Sequence, residues 1–249
     1  MNILEIENIS HRFSDGTLGI GCINLTIREG EFVVIAGSNG SGKTTFLRHL
    51  NGLLLPDTGV VRIAGVSVSD DIVRARQIVG MVFQDSDSQI VGETVYDDVA
   101  FGPENLCLNK SEVKKRVSEA LKSVGLEDLA DQRPYLLSGG EKRRLAVAGI
   151  LAMKPRVVVF DEPFSSLDYP GTKQVLNQIV SLHKSGHTIL VTTHDLEKVI
   201  AIADRLIIME DGRVVMDGLP EDIIMNVEAF GVREPCASRL GMKIDSWLS

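Results

Sequence analysis

The sequence predicts an α/β fold: a mixed, mostly parallel sheet with antiparallel strands near the N-terminus and a helical subdomain inserted mid-chain. Three observations support this prediction. The first third is rich in strand-like segments, residues 84 to 151 have helical character, and the last third alternates short apolar segments with helical ones. Strands that alternate with helices are typical of parallel sheets covered by helices. The 249 residues suit one large domain or a domain with an inserted subdomain.

Strand-like segments fill the first third of the chain. Residues 1–9 and 23–27 alternate apolar with polar side chains, which predicts half-buried strands. Residues 32–36 (FVVIA) are apolar throughout and form a candidate fully buried strand. Residues 60–63 and 78–83 are expected to form two further strands.

Helical signals dominate the middle of the chain. Asn109 with Glu112 resembles a capping box that opens a helix running to Val124. The basic residues of this helix could form a binding surface, but we interpret them as a solvated face. They are Lys114, Lys115, Arg116 and Lys122.

Strands and helices alternate in the last third. Three strands are expected there, at residues 157–160, 188–191 and 206–209. One helix is expected to begin at Asp168 and Pro170 and to run towards Leu182, and another to follow His194.

These segments predict one domain, residues 1–249, with an insertion. We expect a core from residues 1–84 and 152–226, a helical subdomain from residues 85–151, and a C-terminal tail from residues 227–249. The tail contains the lone tryptophan, Trp247, which is expected to pack at an interface or to cover the core.

The composition excludes several classes of protein. A net charge of −8 and 5% aromatic residues argue against broad nucleic-acid binding. Cys22, Cys107 and Cys236 form no CxxC pair, so neither a zinc site nor a disulfide framework is expected. No segment approaches the roughly 20 apolar residues of a membrane-spanning helix, and residues 1–9 do not resemble a signal peptide.

A phosphate-binding loop follows the apolar strand at residues 32–36. Residues 37–44 (GSNGSGKT) match G-x-x-x-x-G-K-[ST] and lead into an apparent helix. The apolar residues of that helix are Phe46, Leu47, Leu50, Leu53 and Leu54. Glycines allow backbone N–H groups to face phosphate oxygens, Lys43 is expected to reach the β- and γ-phosphates, and Thr44 to ligate Mg²⁺. The spacing does not fit the dinucleotide-binding motif G-x-G-x-x-G.

Two further motifs complete the candidate site. Residues 157–162 (VVVFDE) form an apolar strand that ends in two acids. Asp161 is expected to hold Mg²⁺ through water, and Glu162 to orient or deprotonate the attacking water. Residues 137–141 (LSGGE) predict a capping box between Ser138 and Glu141 at the start of a helix. Such a helix start can also bind an anion.

Together these motifs resemble the ABC-transporter ATPase family over essentially the whole chain. The resemblance implies a head-to-tail dimer in which the LSGG segment of one subunit closes over the γ-phosphate held by the other. Asp168, in the loop at residues 165–168, is then expected to cross the dimer interface. Gln84 resembles the glutamine that contacts Mg²⁺ and couples to the membrane partner, and His194 resembles the histidine that contacts the γ-phosphate.

The resemblance assigns roles to residues by position. The catalytic candidates are Lys43, Gln84, Glu162 and His194, and the Mg²⁺ candidates are Thr44, Gln84 and Asp161. Phe13 is expected to stack on adenine or to pack in the core. The other ATP contacts within one subunit are Gly37, Ser38, Asn39, Gly40, Ser41, Gly42, Lys43, Thr44 and Thr45. The contacts from the second subunit are Ser138, Gly139, Gly140 and Asp168.

Two residues depart from the family pattern. Glu141 replaces the common glutamine and adds negative charge near a phosphate, unless it faces the backbone as a cap. Arg143 with Arg144 replaces the commoner Gln-Arg pair. Neither change is expected to abolish hydrolysis.

Residues 82–89 (VFQDSDSQ), 93–95 and 101–105 (FGPEN) resemble the energy-coupling-factor importers of cobalt, nickel, biotin and other vitamins. Gln89 suits that branch. The resemblance implies a peripheral protein at the cytoplasmic face of the membrane, with transmembrane coupling and substrate-binding proteins as partners. A groove beside Gln84 is expected to receive the coupling helices. The alternative for FGPEN is a turn that ends a helix, with Gly102 and Pro103 as breakers.

Several alternatives remain open at this point. The second ATPase subunit is either a copy of this chain or a sister protein. The chain could instead serve another importer or a process such as DNA repair or translation, although no coiled-coil insertion, basic region or second cassette supports this. A small-molecule kinase is disfavoured because kinases do not need the LSGGE segment.

Overall fold

The computed structural model describes residues 1–165 and 167–248 in two sheets and a set of covering helices. Ser166, in the predicted loop at residues 165–168, lies outside the described residues. The strands are β1 Asn2–Arg12, β2 Leu18–Arg28, β3 Phe32–Ala36, β4 Thr58–Ile63, β5 Val66–Ser67, β6 Val79–Val82, β7 Val157–Asp161, β8 Thr188–Thr193, β9 Arg205–Glu210 and β10 Arg213–Gly218. The α-helices are α1 Lys43–Leu50, α2 Ile72–Ile78, α3 Val95–Asn105, α4 Lys110–Val124, α5 Gly139–Ala152, α6 Tyr169–Lys184, α7 Pro220–Ile223 and α8 Cys236–Arg239.

The larger sheet has the strand order β10-β9-β3-β8-β7-β6. All of its neighbouring strands are parallel except the edge pair β9 and β10. The smaller sheet, in the order β2-β1-β4-β5, is antiparallel. The α/β prediction, with antiparallel strands near the N-terminus and an inserted helical segment, is therefore confirmed.

Strand β3 shows why the larger sheet is apolar throughout. Phe32, Val34 and Ala36 face one hydrophobic core, which helices α3 to α6 cover. Val33 and Ile35 face a second core, which α1 and the antiparallel sheet cover. Because successive side chains of a strand point to opposite faces, a strand between two cores needs apolar residues at every position.

Two boundaries in the first third differ from the sequence prediction. Strand β6 starts only at Val79, because Ile78 ends helix α2, whose first turn is capped by the Asp71 side chain. Helix α1 ends at Leu50, so Leu53 and Leu54 lie beyond it. The N–H groups of both leucines donate to the carbonyl of Arg48 in a turn.

Two helix predictions in the rest of the chain were wrong in detail. The Asn109 side chain caps α4 as predicted, but the Glu112 carboxylate accepts a hydrogen bond from Arg116 instead of closing the box. The segment after His194 forms two 3₁₀ turns, Leu196–Lys198 and Ile200–Ile202, instead of an α-helix. The Asp195 side chain accepts from the N–H of Glu197 and fixes the first of these turns.

The FGPEN segment is helical. Gly102 and Pro103 lie inside α3, which continues to Asn105, so neither residue breaks the helix. A Cβ atom at Gly102 would collide with the side chain of Met153, just beyond the end of α5. Glycine therefore permits the close approach of α3 to the end of α5.

The proposed helical subdomain, residues 85–151, contains α3, α4 and nearly all of α5. Part of the tail packs on the larger core, where Ile244, Trp247 and Leu248 contact it. The ring of Trp247 lies 5.5 Å from that of Tyr169 at the start of α6. In the residues that the structure describes, no helix is both long and apolar enough to cross a membrane.

Candidate nucleotide-binding site

The loop between β3 and α1 has the backbone geometry of a phosphate cradle. Gly42 precedes α1 with a φ of 97°, in the left-handed region that favours glycine. A Cβ atom there would lie 2.8 Å from the carbonyl oxygen of Gly19. The loop therefore needs glycine at this position to curl tightly and to present the start of α1 to a ligand.

Lys43 crosses the base of this loop and is only 6% exposed. Its Nζ atom donates to the carbonyls of Gly37, at 2.8 Å, and Ser38, at 3.0 Å. The same atom lies 3.8 Å from Oε1 of Glu162. Burial lowers the pKa of Lys43, while the nearby charges of Glu162 and Asp161 oppose that shift. The ammonium group is thus held by weak acceptors that a phosphate group could replace.

Thr44 and Asp161 meet at the ends of neighbouring segments, as expected for a metal site. Thr44 Oγ1 donates to Asp161 Oδ2 at 2.8 Å, and Thr192 Oγ1 donates to Asp161 Oδ1 at 2.6 Å. A hydroxyl and a carboxylate are the hard oxygen ligands that Mg²⁺ prefers. The donor set therefore fits the predicted ion.

Glu162 has a strained backbone, and its two carboxylate oxygens lie in different surroundings. Its φ is 48°, which is uncommon for a residue other than glycine. Its N–H group donates to the carbonyl and the hydroxyl of Thr192, at 3.2 Å and 3.0 Å. Oε2 lies 2.9 Å from Nδ1 of His194, whereas Oε1 has no hydrogen-bond partner among the described residues. One oxygen is thus fixed by His194, and the other is buried near Lys43 without a hydrogen bond among the described residues.

A cleft of about 360 Å³ brings most of the predicted residues together. The lining residues predicted from the sequence are Phe13, Asn39, Gly40, Ser41, Gly42, Lys43, Thr44, Thr45, Gln84, Glu162 and His194. Phe13 lies at the rim and is 39% exposed, with its ring edge-on to His11 at 5.2 Å. An exposed ring at this position is available to stack on a base.

Two groups of cleft residues were not predicted. Thr17, Leu18 and Gly19, from the turn and first residues of β2, line the cleft opposite the loop. Their local sequence carries no motif, and only the folding of β2 against the loop places them there. Thr192 was also missed, although its hydroxyl holds Asp161 and the backbone of Glu162. Two adjacent threonines at the end of β8, directly before His194, were an available signal.

The LSGGE segment lies away from this cleft in the single chain. The predicted capping box at α5 is present, with Ser138 Oγ donating to Glu141 Oε2 at 2.6 Å and the Ser138 N–H donating to the same oxygen at 2.8 Å. These bonds lower the pKa of Glu141. A Cβ atom at Gly139 or Gly140 would meet no atom within 4 Å, so this helix start is open to solvent.

Asp168 also lies apart from the cleft and caps α6, where it accepts from the N–H of Gly171 at 2.9 Å. None of the four residues expected to act from a second subunit lines the cleft of this chain. Their roles towards a partner stay predictions.

The fold and the cleft define the class of protein: a nucleotide-binding protein with a phosphate loop and an inserted helical segment. A family model described as ABC transporter matches residues 20–165. The energy-coupling factor transporter ATP-binding protein EcfA of Methanocaldococcus jannaschii is 45% identical over 233 residues, 92% of this chain and 84% of the relative. EcfA1 of Clostridium novyi is 43% identical over 91% of this chain and 83% of the relative.

Solved structures agree with these relatives. The cbiO1 structure from Clostridium perfringens, described as part of the ABC transporter complex cbiONQ, has a TM-score of 0.82 and 36% identity and covers 96% of this chain and 98% of its own. A dimeric ATP-binding cassette, MJ0796, bound to ADP and Pi has a TM-score of 0.77 and 30% identity over 87% of this chain and 98% of its own. The chain belongs to the ABC transporter family, among its energy-coupling factor transporter ATP-binding proteins.

Proposed function

We propose that this chain binds ATP with Mg²⁺ and hydrolyses it as one of two ATPase subunits that power an energy-coupling factor importer. One observation supports this above all. The cleft contains a buried lysine in a phosphate loop, Thr44, whose hydroxyl donates to Asp161, and Glu162, which lies 2.9 Å from His194 and 3.8 Å from the Lys43 ammonium. Phosphoryl transfer needs these three functions, which are charge neutralisation, metal binding and alignment of water.

Nucleotide binding exchanges the acceptors of Lys43. Its ammonium group leaves the carbonyls of Gly37 and Ser38 for phosphate oxygens, which are stronger acceptors because they are charged. The N–H groups at the start of α1 add the partial positive charge of the helix. Phe13, at the cleft rim, stacks on the adenine ring.

Thr44 and Asp161 would hold Mg²⁺, and Gln84, exposed at the cleft, would complete the set of ligands. When bound, Mg²⁺ neutralises charge on the β- and γ-phosphate oxygens. Asp161 is 3% exposed and already receives a hydrogen bond from Thr192, so its second oxygen is oriented before the ion arrives.

Glu162 aligns the attacking water. Once the Lys43 ammonium binds phosphate, Oε1 accepts a hydrogen bond from that water, while His194 keeps the carboxylate in place through Oε2. Because phosphoryl transfer depends mainly on positioning and charge stabilisation, a fixed carboxylate provides most of what this side chain must supply.

A second ATPase subunit closes the site. The helix start at Ser138, Gly139 and Gly140 faces solvent in the single chain, and its N–H groups suit the γ-phosphate held by another subunit. Asp168 lies on the same interface. Hydrolysis removes the phosphate bridge, and the resulting opening and closing drives the membrane partner.

The membrane partner docks in an apolar groove of about 390 Å³ whose lining includes Phe83, the residue before Gln84. Its walls include Leu53, 44% exposed, Val91, 64% exposed, and Phe101, 55% exposed. These side chains come from both the core and the helical segment, so a helix seated there senses their relative position. A chain docked in this way lies at the cytoplasmic face of the membrane. The resemblance of residues 101–105 (FGPEN) to the energy-coupling-factor importers supports a transition-metal ion or a vitamin as the cargo.

The release of free phosphate from ATP tests this proposal. The wild-type chain, with any membrane proteins that co-purify, is expected to release phosphate in the presence of Mg²⁺, and the Glu162→Gln variant to release almost none. Transfer of phosphate to a small acceptor, or phosphate release by Glu162→Gln at the wild-type rate, would contradict the proposed reaction.

A further inference from the structure

Arg143 is a buried cation that does not line the nucleotide-binding cleft. It lies near the start of α5 and is 8% exposed. Its Nη1 atom donates to the carbonyl of Pro163 at 2.7 Å, and its Nη2 atom donates to the carbonyl of Gln84 at 3.4 Å. Burial lowers the pKa of this guanidinium, and none of the ion pairs between described residues includes it. A guanidinium is costly to bury without a counter-ion, so packing alone is a poor explanation for it.

The two carbonyls lie in or next to residues of the proposed catalytic site. Pro163 directly follows Glu162, and Gln84 itself lines the cleft. The two carbonyls follow strands β7 and β6, which are parallel neighbours. One planar guanidinium with several fixed donors can therefore bridge the ends of two strands, which a lysine ammonium cannot do with the same rigidity.

The remainder of the loop after Gln84 is tethered as well. Lys142, the neighbour of Arg143 on α5, donates to Asp87 Oδ2 at 2.8 Å. The Gln89 side chain binds the backbone of Phe83 and Met81 at the edge of the sheet. Further on, Asp98 accepts from the N–H groups of Val91 and Gly92. The loop is thus fixed along its length, and Arg143 holds the end that lines the cleft.

Arg143 is also linked to the helix start at Ser138. The two residues are five positions apart in one rigid helix, about 7.5 Å along its axis. A displacement of Ser138 therefore moves Arg143, and with it the carbonyls that Arg143 binds.

We propose that Arg143 is a positioning residue that ties the backbone at Gln84 and after Glu162 to helix α5, so that the cleft and the helix start at Ser138 move together. The inference rests on the proposed ATPase function. It assigns to Arg143 an effect on turnover and not on nucleotide affinity, because Lys43 and the phosphate loop make no hydrogen bond to it in the described residues.

Arg144 provides a matched control on the same helix. Its Nη1 atom also donates to two backbone carbonyls, those of Val124 at 3.1 Å and Gly125 at 3.4 Å. Both acceptors lie at the end of α4, within the helical segment and away from the cleft. Loss of this arginine removes the same kind of contact without touching Gln84 or Pro163.

Steady-state ATP hydrolysis by Arg143→Met, Arg143→Gln and Arg144→Met tests the proposal. We expect Arg143→Met to lower kcat about tenfold with KM for ATP within about twofold of wild type, since small displacements of aligned groups slow reactions strongly. Arg143→Gln is expected to recover part of the loss, because its amide still donates to one carbonyl. Arg144→Met is expected to keep kcat within about twofold.

A wild-type kcat for Arg143→Met, a loss confined to KM, or an equal loss in Arg144→Met would overturn the proposal. If Arg143→Met does not fold, Arg143→Lys takes its place with an expected severalfold loss of kcat, and an unchanged kcat overturns the proposal again. Failure of the proposed function looks different, because the wild-type chain would then release no phosphate.

Discussion

At the scale of single residues, Glu162 lies between Lys43 and His194 in the cleft. Its Oε2 binds His194 and its Oε1 lies 3.8 Å from the Lys43 ammonium. A phosphate group that takes over Lys43 weakens the second of these interactions and leaves Oε1 to a water molecule. In the proposed mechanism, binding of the nucleotide therefore prepares the Glu162 carboxylate to align the attacking water.

Replacement of Lys43 by alanine tests the phosphate loop. Lys43→Ala removes a charge-assisted contact to phosphate, worth about 1.5–3 kcal/mol, and should weaken ATP affinity about 10- to 150-fold. Titration with ATP under non-hydrolysing conditions measures the effect. Lys115→Ala, on the exposed face of α4, is the control and should bind like wild type. Unchanged affinity in Lys43→Ala would count against this site.

At the scale of helices and strands, the predicted boundaries were most accurate for a strand that is buried on both faces. Strand β3 was placed to the residue because its apolar run begins and ends with the strand. Leu53 and Leu54 misled the prediction for α1, since their spacing is helical although Gly52, with φ of 68°, ends the helix before them. The helix expected after His194 failed because Asp195 caps a shorter turn.

The candidate site was predictable where a motif is continuous along the chain. Residues 37–44 and 161–162 were found in this way. Residues 39–44 and Glu162 line one cleft, and Asp161 is joined to it through the Thr44 hydroxyl, whereas Gly37 and Ser38 do not line it. The bridge from Arg143 to Gln84 and Pro163 joins three distant segments, and no local pattern records it. The same holds for the turn at Thr17, which reaches the cleft only after β2 has folded.

The capping box of α5 gives a prediction that depends on pH. The pKa of Glu141 is lowered from 4.5 by its bonds to Ser138, so its stabilising effect is present above pH 4.5 and is lost as pH falls through the lower, folded-state pKa. An exposed carboxylate in the first turn of a helix stabilises it by about 0.3–1 kcal/mol, so Glu141→Ala should lower Tm by about 1–4 °C at pH 7.

The difference in Tm between Glu141→Ala and the wild type should become smaller as the pH falls below 4.5. Thermal unfolding followed by circular dichroism at several pH values measures both differences. Glu119→Ala, on the exposed face of α4, serves as the control for loss of one surface carboxylate. A Tm difference that does not shrink at low pH would show that Glu141 acts otherwise.

At the scale of the whole molecule, the apolar groove joins the core to the helical segment. Phe101 lies in this groove, and its side chain is 55% exposed. Phe101→Glu places a charge among the apolar side chains of the groove. We expect it to reduce the amount of membrane protein that co-purifies by at least about tenfold, with ATP affinity unchanged. Val73→Glu, exposed on α2, is the control. Full co-purification with Phe101→Glu would exclude the groove as the docking site.

The central claim is that one ATP is held by the loop around Lys43 in one subunit and by the helix start at Ser138 in another. The molar mass of Glu162→Gln, measured by light scattering with saturating ATP and Mg²⁺, tests it most directly. We expect a two-ATPase assembly with ATP and single chains without it. Adding Gly140→Asp, which sets a carboxylate against the phosphate, should abolish the assembly while ATP still binds. Single chains at saturating ATP in Glu162→Gln, or an assembly that survives Gly140→Asp, would contradict the account.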